Sequence, residues 1–343
     1  MKKVFSLICI VFVIMYSCKN NTRTESKENQ KSSEVVIKKD NTKFPDLVKI
    51  KGLAQNPEGI EFDKNDNTFL LSSLNAAPII KVNLDGTFKP FTSGEKFPLS
   101  TAGLQTDYKR NRLLAAGFNG TELMDKDPET KGTAFLRVYN LETGVIEKDI
   151  NLSFLVPNAS MYFANDIAID NKGNVYISDW YARVIYKVDL EGNASVFWTN
   201  ETGIPSGPNG LDFHKDGYLL VSILNVNEKG LYSDYGLIKI PINGSKSASI
   251  IDIQDSGFTG FDGMVIKSNG NVIGVTNNGK IPGGNTLVEL SSKNNWKSAE
   301  IINSKTITPS TTVSVTPENS NYVINQDFTN PMKENWSIEQ IKF

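Results

Sequence analysis

Short apolar runs alternate with clusters of turn residues after about residue 46, and no stretch keeps a helical period. One six-residue pattern opens each unit, at positions 58–63, 102–107, 165–170, 209–214 and 262–267, with a weaker copy at 311–316. Most copies lead into a tight turn and a second apolar strand, as in 171–177. Three or four short strands per unit, repeated six times, predict an all-β, six-bladed β-propeller over residues 46–343.

A further strand, 47–51, precedes the first copy of the repeat. We expect it to supply the outer strand of the last blade, because pairing of the two ends removes the edge that an open array would expose. The sequence therefore predicts a closed ring.

The first residues have the pattern of a secretory signal: Lys2 and Lys3, an apolar run at 4–16, and then Ser17 and Cys18. This run is too short to cross a membrane as a helix, which needs roughly twenty residues. Positions 15–18 resemble a bacterial lipoprotein box, so we expect removal of 1–17, lipidation of Cys18 and a polar tether at 18–45. The protein would then be anchored in the bacterial cell envelope, facing the periplasm or exposed at the surface. The alternative is an ordinary signal peptide with an incidental cysteine.

Composition narrows the chemistry. The 36 Lys and Arg against 38 Asp and Glu leave no basic excess for binding nucleic acid. The two cysteines, Cys9 and Cys18, lie in the first segment, which excludes a disulfide framework or cysteine-based zinc site elsewhere. The single histidine, His214, falls about 16 Å along a strand from the position that opens it, so we expect a surface-turn residue. An enzyme of this composition must work with carboxylates and other oxygen groups.

The residue that opens each repeat is expected at one mouth of the central channel. At this position the six copies carry Glu58, Ala102, Asn165, Asn209, Asp262 and Thr311. Two carboxylates and two carboxamides would thus converge from four blades. Their oxygen atoms suit one divalent cation, Ca²⁺ above all, with Mg²⁺, Mn²⁺ or Zn²⁺ as possibilities. The alternative is that these groups cap turns and hydrogen-bond channel water.

Long loops are expected to reach the same mouth, at 117–133, 153–163, 224–235 and 277–285. They carry aromatic residues, among them Tyr162 and Phe163. These side chains would either form the wall of a pocket or cover the blade ends.

The motifs at 57–59, 165–166, 208–212 and 262–264 together resemble the senescence-marker-protein/gluconolactonase family, also called regucalcin-like. The resemblance covers about 55–343. It implies a six-bladed propeller that hydrolyses sugar lactones with one divalent metal in the channel. It further implies that Glu58, Asn209 and Asp262 are metal ligands, and that Asn165 contacts the substrate or is a further ligand. The family commonly has Arg where this chain has Phe163, which suggests a more apolar or different substrate.

These observations lead to the hypothesis of metal-assisted hydrolysis of a lactone or related ester. Asp262, or less favourably Asp179 at the end of a second strand, would be the general base, and Asn165, Phe163 and Tyr162 would contact the substrate. The competing hypothesis is a non-enzymatic, envelope-anchored propeller that binds a ligand or protein and uses the metal structurally. Contact with the membrane is expected only through the lipid anchor.

Overall fold

A computed structural model describes residues 44–93, 99–119, 132–159, 161–200, 207–224, 236–244, 247–254, 258–276, 285–326 and 334–343. The compact unit is Phe44–Phe343. The expected signal segment, Cys18 and the tether up to residue 43 lie outside the described residues. No helix among the described residues is long and apolar enough to cross a membrane.

The described residues contain twenty-five strands, which form six sheets. In chain order, β1 (Leu47–Lys51) precedes blade 1, which contains β2 (Pro57–Asp63), β3 (Thr68–Ser73), β4 (Ile80–Val82) and β5 (Phe88–Pro90). Blade 2 contains β6 (Ser100–Asp107), β7 (Arg112–Asn119), β8 (Thr133–Asn140) and β9 (Ile146–Asn151). Blade 3 contains β10 (Ala164–Ile169), β11 (Val175–Asp179), β12 (Val184–Val188) and β13 (Ala194–Thr199). Blade 4 contains β14 (Gly207–His214), β15 (Tyr218–Leu224), β16 (Leu237–Pro241) and β17 (Ser249–Ile250).

Blade 5 has a fifth strand. It contains β18 (Asp252–Ile253), β19 (Met264–Ile266), β20 (Val272–Thr276), β21 (Asn285–Ser291) and β22 (Ser298–Ile307), and β18 pairs with β22 in parallel at the outer edge. Blade 6 contains β23 (Val313–Val315), β24 (Asn321–Ile324) and β25 (Asn335–Ile341). Two single-turn 3-10 helices, Tyr108–Arg110 and Ser153–Leu155, are the helices among the described residues. The first strands β2, β6, β10, β14, β19 and β23 contact one another in that order around the channel.

The ring closes as the sequence predicts. Strand β1 pairs antiparallel with β25, from Leu47 opposite Glu339 to Lys51 opposite Asn335. The Trp336 indole N–H donates to the Leu53 carbonyl at 3.0 Å and fixes the same junction. These contacts join the two ends of the propeller and complete blade 6 as a four-stranded sheet. The six-bladed architecture and the closure by 47–51 are both confirmed.

The hydrophobic core is divided among the blade junctions. Six buried clusters each combine residues from two neighbouring blades, so every junction around the ring has its own core. At the junction of blades 6 and 1, for example, Phe69 packs on Tyr322 with ring centroids 5.0 Å apart. Alternation of apolar residues along the strands produces these clusters, because both faces of each blade are covered by neighbours.

Candidate functional site

The first strand of each of blades 1 to 4 has a β-bulge near its N-terminal end, at the mouth of the channel. The pairing shifts between Pro57 and Ile60 in β2, and at the corresponding points of β6, β10 and β14. Bulges of this kind bend a strand and turn a side chain away from the regular alternation. The residues inside these bulges include Glu58, Asn165 and Asn209, so the bulges carry three of the predicted site residues.

A serine on the second strand lies opposite each bulge that carries a polar residue. Ser72, Ser178 and Ser222 hold these positions, whereas blade 2, which carries Ala102, has an alanine there. The Ser72 hydroxyl accepts from Gly59 N–H at 2.7 Å, and the Ser178 hydroxyl accepts from Asp166 N–H at 3.0 Å. Ser72 and Ser178 thus bond backbone groups that the ladder leaves unpaired at the bulge, whereas the Ser222 hydroxyl accepts from Phe261 N–H at 2.7 Å.

In blades 5 and 6 the corresponding residues, Asp262 and Thr311, come just before the strand instead of within it. Asp262 N–H donates to the Val275 carbonyl at 2.8 Å, and the Thr311 hydroxyl donates to the Glu58 carbonyl at 3.1 Å. The first bond lies within blade 5, and the second joins blade 6 to blade 1. Gly263 N–H also donates to the Thr311 carbonyl at 2.7 Å, which joins blade 5 to blade 6. The sequence alignment therefore identified the correct positions but assigned the strand starts too early in these two blades.

Glycine follows the opening residue where neighbouring blades approach closely. A Cβ on Gly59 would clash with the Ala102 carbonyl oxygen, and a Cβ on Gly210 would clash with that of Asp262. The absence of a side chain lets adjacent first strands meet backbone to backbone. The opening residues of successive blades are held side by side as a result.

Four of the predicted residues meet at the axis and are here called the polar ring: Glu58, Asn165, Asn209 and Asp262. The Asn165 amide donates to the Asn209 side-chain oxygen, and the Asn209 amide donates to Asp262 Oδ1 at 3.1 Å. Glu58 lines a cavity of about 20 Å³ together with Asn165 and Asp262. All four side chains lie in residues that are at most 9 % exposed.

The electrostatics of the polar ring favour a cation. Burial, followed by repulsion from Asp262 and Asp166, raises the pKa of Glu58 well above its ordinary value. No Lys or Arg is among the described residues that line the cavity. Carboxylate and carboxamide oxygens around a small buried space are the donors that a hard divalent cation prefers.

Nitrogen and sulfur donors add nothing to the polar ring. Within the described part of the chain, no group of three or more His, Cys, Asp or Glu is arranged as a metal site. The polar ring has two carboxylates, so a cation held there would depend on the carboxamide oxygens of Asn165 and Asn209 as well.

Asp166 is a member of this neighbourhood that the sequence analysis did not single out. Its carboxylate accepts from the N–H groups of Ile167 at 2.9 Å and Leu211 at 3.0 Å, which ties blade 3 to blade 4. Burial is the main cause that raises its pKa to about 8, against the effect of those hydrogen bonds, and the nearby charges of Asp212 and Asp262 contribute to the same rise. The signal was present in the repeat, because Asp166 stands where Gly59 and its equivalents stand in other blades.

Two more acids, Glu61 and Asp212, lie three residues beyond Glu58 and Asn209 on the same strands. They line a cavity of about 470 Å³ that also includes Tyr108 and Lys267. Burial is the main cause that raises the pKa of Glu61 to about 7 and that of Asp212 to about 6. The channel therefore contains acidic groups beyond the polar ring.

Asp179 and Tyr162 lie apart from the polar ring. The Asp179 carboxylate accepts from the N–H groups of Phe163 and Ala182, each at 2.9 Å, and from the Tyr186 hydroxyl at 3.2 Å. Tyr162 is buried in the core between blades 2 and 3. Its hydroxyl donates to backbone carbonyls of residues 153 and 156. The structure brings neither side chain into the polar ring.

Phe163 lies near the ring on the side of blade 2. It packs against the buried cluster that contains Ala102, and its ring stacks on Phe118 with centroids 4.1 Å apart. Large parts of the long loops expected at the mouth, 120–131, residue 160, 225–235 and 277–284, lie outside the described residues.

His214 does begin a turn, since Gly217 N–H donates to its carbonyl at 2.9 Å. The side chain is 6 % exposed and stacks on Tyr218 at 4.5 Å, so the expectation of a surface histidine is wrong. The aromatic neighbour covers the imidazole, and burial lowers its pKa. His214 takes no part in the polar ring.

No protein-family model matches the sequence, and a search of curated proteins finds no match. Among solved structures, the chain is similar to a gluconolactonase from Xanthomonas campestris, at 14% identity over 86% of this chain and 89% of that chain, with a TM-score of 0.55. The calcium-binding protein regucalcin from Agrobacterium tumefaciens is 16% identical over 87% and 95%, with a TM-score of 0.54. A glucose dehydrogenase is 11% identical over 87% and 100%, with a TM-score of 0.57. At such identities these similarities establish the propeller fold, which proteins of different activity share.

Proposed function

We propose that this chain is a metal-dependent hydrolase of lactones or related esters. The observation that carries the proposal is the polar ring, in which two carboxylates and two carboxamides from four blades meet in a buried, negatively charged cavity. Similarity in fold to a gluconolactonase and to a calcium-binding regucalcin supports the same proposal.

In this proposal Glu58, Asn209 and Asp262 hold one divalent cation, with Ca²⁺ favoured, and Asn165 contacts the substrate or adds a ligand. When bound, the cation would polarise the substrate carbonyl and stabilise the negative charge that develops on its oxygen. Burial and, after it, repulsion from Asp262 raise the pKa of Glu58, and a bound cation would offset that repulsion.

Asp262 is the proposed general base. It would take a proton from water as the water oxygen attacks the carbonyl carbon. The ring C–O bond then breaks, the ring oxygen takes the proton back from Asp262, and the product is a hydroxy acid. The Asn209 amide, 3.1 Å from Asp262 Oδ1, would orient this carboxylate. Asp179 is the weaker candidate, because its oxygens already accept three hydrogen bonds.

A second candidate function is a non-enzymatic binding propeller with a structural cation. The size of the ring cavity favours it, since about 20 Å³ has room for one small ion or water and none for a substrate. In the enzyme, the substrate must therefore bind above the polar ring, with its carbonyl alone reaching inward.

The test combines calorimetry with a hydrolysis panel. Ca²⁺, Mg²⁺, Mn²⁺ and Zn²⁺ are titrated into the wild type, Glu58→Gln and Asp262→Asn, with Asp252→Asn as a control at an exposed acid of the outer strand of blade 5. We expect at least tenfold weaker binding and loss of lactone hydrolysis in both ring variants, and no change in the control. Cation binding without hydrolysis of any lactone or ester would favour the second candidate. Absence of cation binding in the wild type would overturn both.

Anchoring in the cell envelope is a separate part of the proposal. Cys18 would carry the lipid and place the propeller facing the periplasm or at the surface. Metabolic labelling with a fatty-acid analogue should mark the wild type and the Cys9→Ala variant, but not Cys18→Ala. Labelling of Cys18→Ala, or none in the wild type, would contradict the anchor.

A further inference from the structure

The mouth of the channel is polar on one side and apolar on the other. The polar ring occupies blades 1, 3, 4 and 5, while blade 2 contributes Ala102 at the equivalent position. Ala102 belongs to a small buried cluster with Leu74 and Phe118, and Phe163 packs against that cluster. An apolar surface therefore borders the ring between blades 2 and 3.

Three aromatic residues extend this surface toward solvent, and we call them the aromatic shelf: Phe163, Trp180 and Tyr181. The Phe163 ring stacks on Phe118 at 4.1 Å, and it meets Trp180 and Tyr181 edge-on at 6.2 and 6.0 Å. Phe163 and Trp180 are half-buried, and Tyr181 is 40 % exposed. The shelf thus presents aromatic surface that a ligand can cover.

The shelf is fixed to the strand that carries Asn165. Trp180 N–H donates to the Phe163 carbonyl at 3.1 Å, and the Trp180 indole N–H donates to the Leu224 carbonyl at 3.2 Å. Phe163 precedes Asn165 by two residues, about 7 Å along an extended chain. The aromatic shelf therefore lies next to the polar ring on the side of blade 3.

Asp179 joins the parts of the shelf. Its Oδ1 accepts from Phe163 N–H at the start of β10 and from Ala182 N–H in the turn that carries Trp180 and Tyr181, both at 2.9 Å. The Tyr186 hydroxyl holds Oδ2 at 3.2 Å. A fully buried carboxylate with this set of partners fixes the geometry of two backbone segments at once.

We propose that the aromatic shelf binds an apolar substituent of the substrate, and that Asp179 is a positioning residue for the shelf. This inference rests on the proposed hydrolase function and narrows the substrate class to lactones or esters that carry an alkyl or aryl group. The reacting carbonyl lies toward the polar ring while the apolar group covers Phe163 and Tyr181. A polyhydroxylated sugar lactone has no group to cover the shelf and would leave its hydroxyls facing aromatic carbon.

The test compares γ-butyrolactone with γ-nonalactone, which has the same ring and an added alkyl chain, and includes a sugar lactone. The wild type should have the highest kcat/KM for γ-nonalactone. Phe163→Ala should raise KM for γ-nonalactone by about tenfold or more, while KM for γ-butyrolactone changes less than about twofold. An equal change for both lactones, or a preference of the wild type for the sugar lactone, would overturn the inference.

Asp179 is tested by a pair of variants. Asp179→Asn keeps an oxygen that can accept from Phe163 and Ala182, so the ratio of kcat/KM for γ-nonalactone to that for γ-butyrolactone should stay within about twofold of the wild-type ratio. Asp179→Ala should repeat the selective rise in KM seen for Phe163→Ala. Loss of kcat on both lactones in Asp179→Asn would identify Asp179 as a proton-transfer group and refute the positioning role. Thermal melting of both variants reports whether they fold. If Asp179→Ala does not fold, the Phe163→Ala result still tests the aromatic shelf.

A binding measurement separates failure of this inference from failure of the hydrolase proposal. Octanoate and gluconate are titrated while tryptophan fluorescence is recorded, and Trp180→Phe identifies the part of the signal that comes from the shelf. Octanoate should quench Trp180 and bind at least tenfold more weakly to Phe163→Ala, whereas gluconate should not bind. If no lactone is hydrolysed but octanoate still quenches Trp180 and binds more weakly to Phe163→Ala, the shelf proposal is correct and the hydrolase proposal is wrong. If lactones are hydrolysed without a preference for γ-nonalactone that depends on Phe163, the hydrolase proposal is correct and the shelf proposal is wrong.

Discussion

Glu61 offers a quantitative test of the electrostatics of the channel. It lies on β2 three residues beyond Glu58, and its Oε1 accepts from the N–H and the hydroxyl of Thr106 at 3.0 and 2.6 Å. These bonds favour the ionised form, but burial and the nearby charge of Asp212 outweigh them and raise the pKa of Glu61 from 4.5 to about 7. Glu61→Gln keeps the shape and an accepting oxygen and removes the charge.

Proton binding by Glu61 in the folded and unfolded states determines whether its charge stabilises or destabilises the protein at each pH. Above pH 7 the folded and unfolded states both have ionised Glu61, and the folded state is destabilised by at most about 3 kcal/mol. As the pH falls from 7 to 4.5 the folded state takes up a proton first, so this destabilisation disappears. We therefore expect Glu61→Gln to be more stable than the wild type by about 2–3 kcal/mol at pH 8.5 and by less than about 1 kcal/mol at pH 5.

The assay is urea unfolding followed by intrinsic fluorescence at pH 5, 7 and 8.5, with a chelator present so that cation binding does not contribute. Glu142→Gln, at an exposed position in the turn after β8, is the matched control and should show no pH-dependent difference. A stability difference for Glu61→Gln that is constant with pH would refute the reasoning. So would a variant that is less stable than the wild type at pH 8.5.

Three further perturbations test the fold. Gly210→Ala places a Cβ against the Asp262 carbonyl oxygen and should lower the unfolding free energy by about 1–3 kcal/mol in urea; an unchanged midpoint would contradict the contact. Lys81→Met leaves the buried carboxylate of Asp63, 3.0 Å from Lys81 Nζ, without its cation, and should cost about 3 kcal/mol by the same assay. Deletion of 1–51 removes β1 and should abolish cooperative thermal unfolding; a deleted chain that melts like the full one would argue against closure.

The architecture could be predicted from the sequence because a propeller repeats one opening motif in every blade. Alignment of the six copies was enough to place Glu58, Asn165 and Asn209 at a common level of the channel. The exact residue at which each strand begins was harder to predict from the sequence. Asp262 and Thr311 hold the same level without belonging to a strand. A backbone bond to Val275 in the same blade fixes Asp262, and bonds to the backbone of neighbouring blades, at Gly263 and Glu58, fix Thr311. The short β18 was missed because its partner β22 lies far along the chain.

The roles of individual side chains were harder to predict from the repeated positions alone. Asp166 was overlooked because it departs from the glycine of the other copies, although that departure is itself a signal. Tyr162 and Phe163 were treated alike, yet alternation along the strand separates them. Tyr162 lies on the same face of the strand as the buried Ala164, and Phe163 lies on the same face as Asn165. The alternation of side chains along the strand could therefore have predicted from the sequence that Tyr162 lies in the core.

Pairing of β1 with β25 has a consequence for the order in which the protein is made. Strand β1 leaves the ribosome before any blade exists, and its partner β25 follows all the other described strands. Blades 1 to 5 complete their antiparallel ladders as they emerge, whereas the cluster around Val48, Ile50 and Trp336 forms only when synthesis reaches the last strand. Nascent chains stalled before Asn335 should thus keep β1 accessible to protease, and protection of β1 reports that β25 has been synthesised.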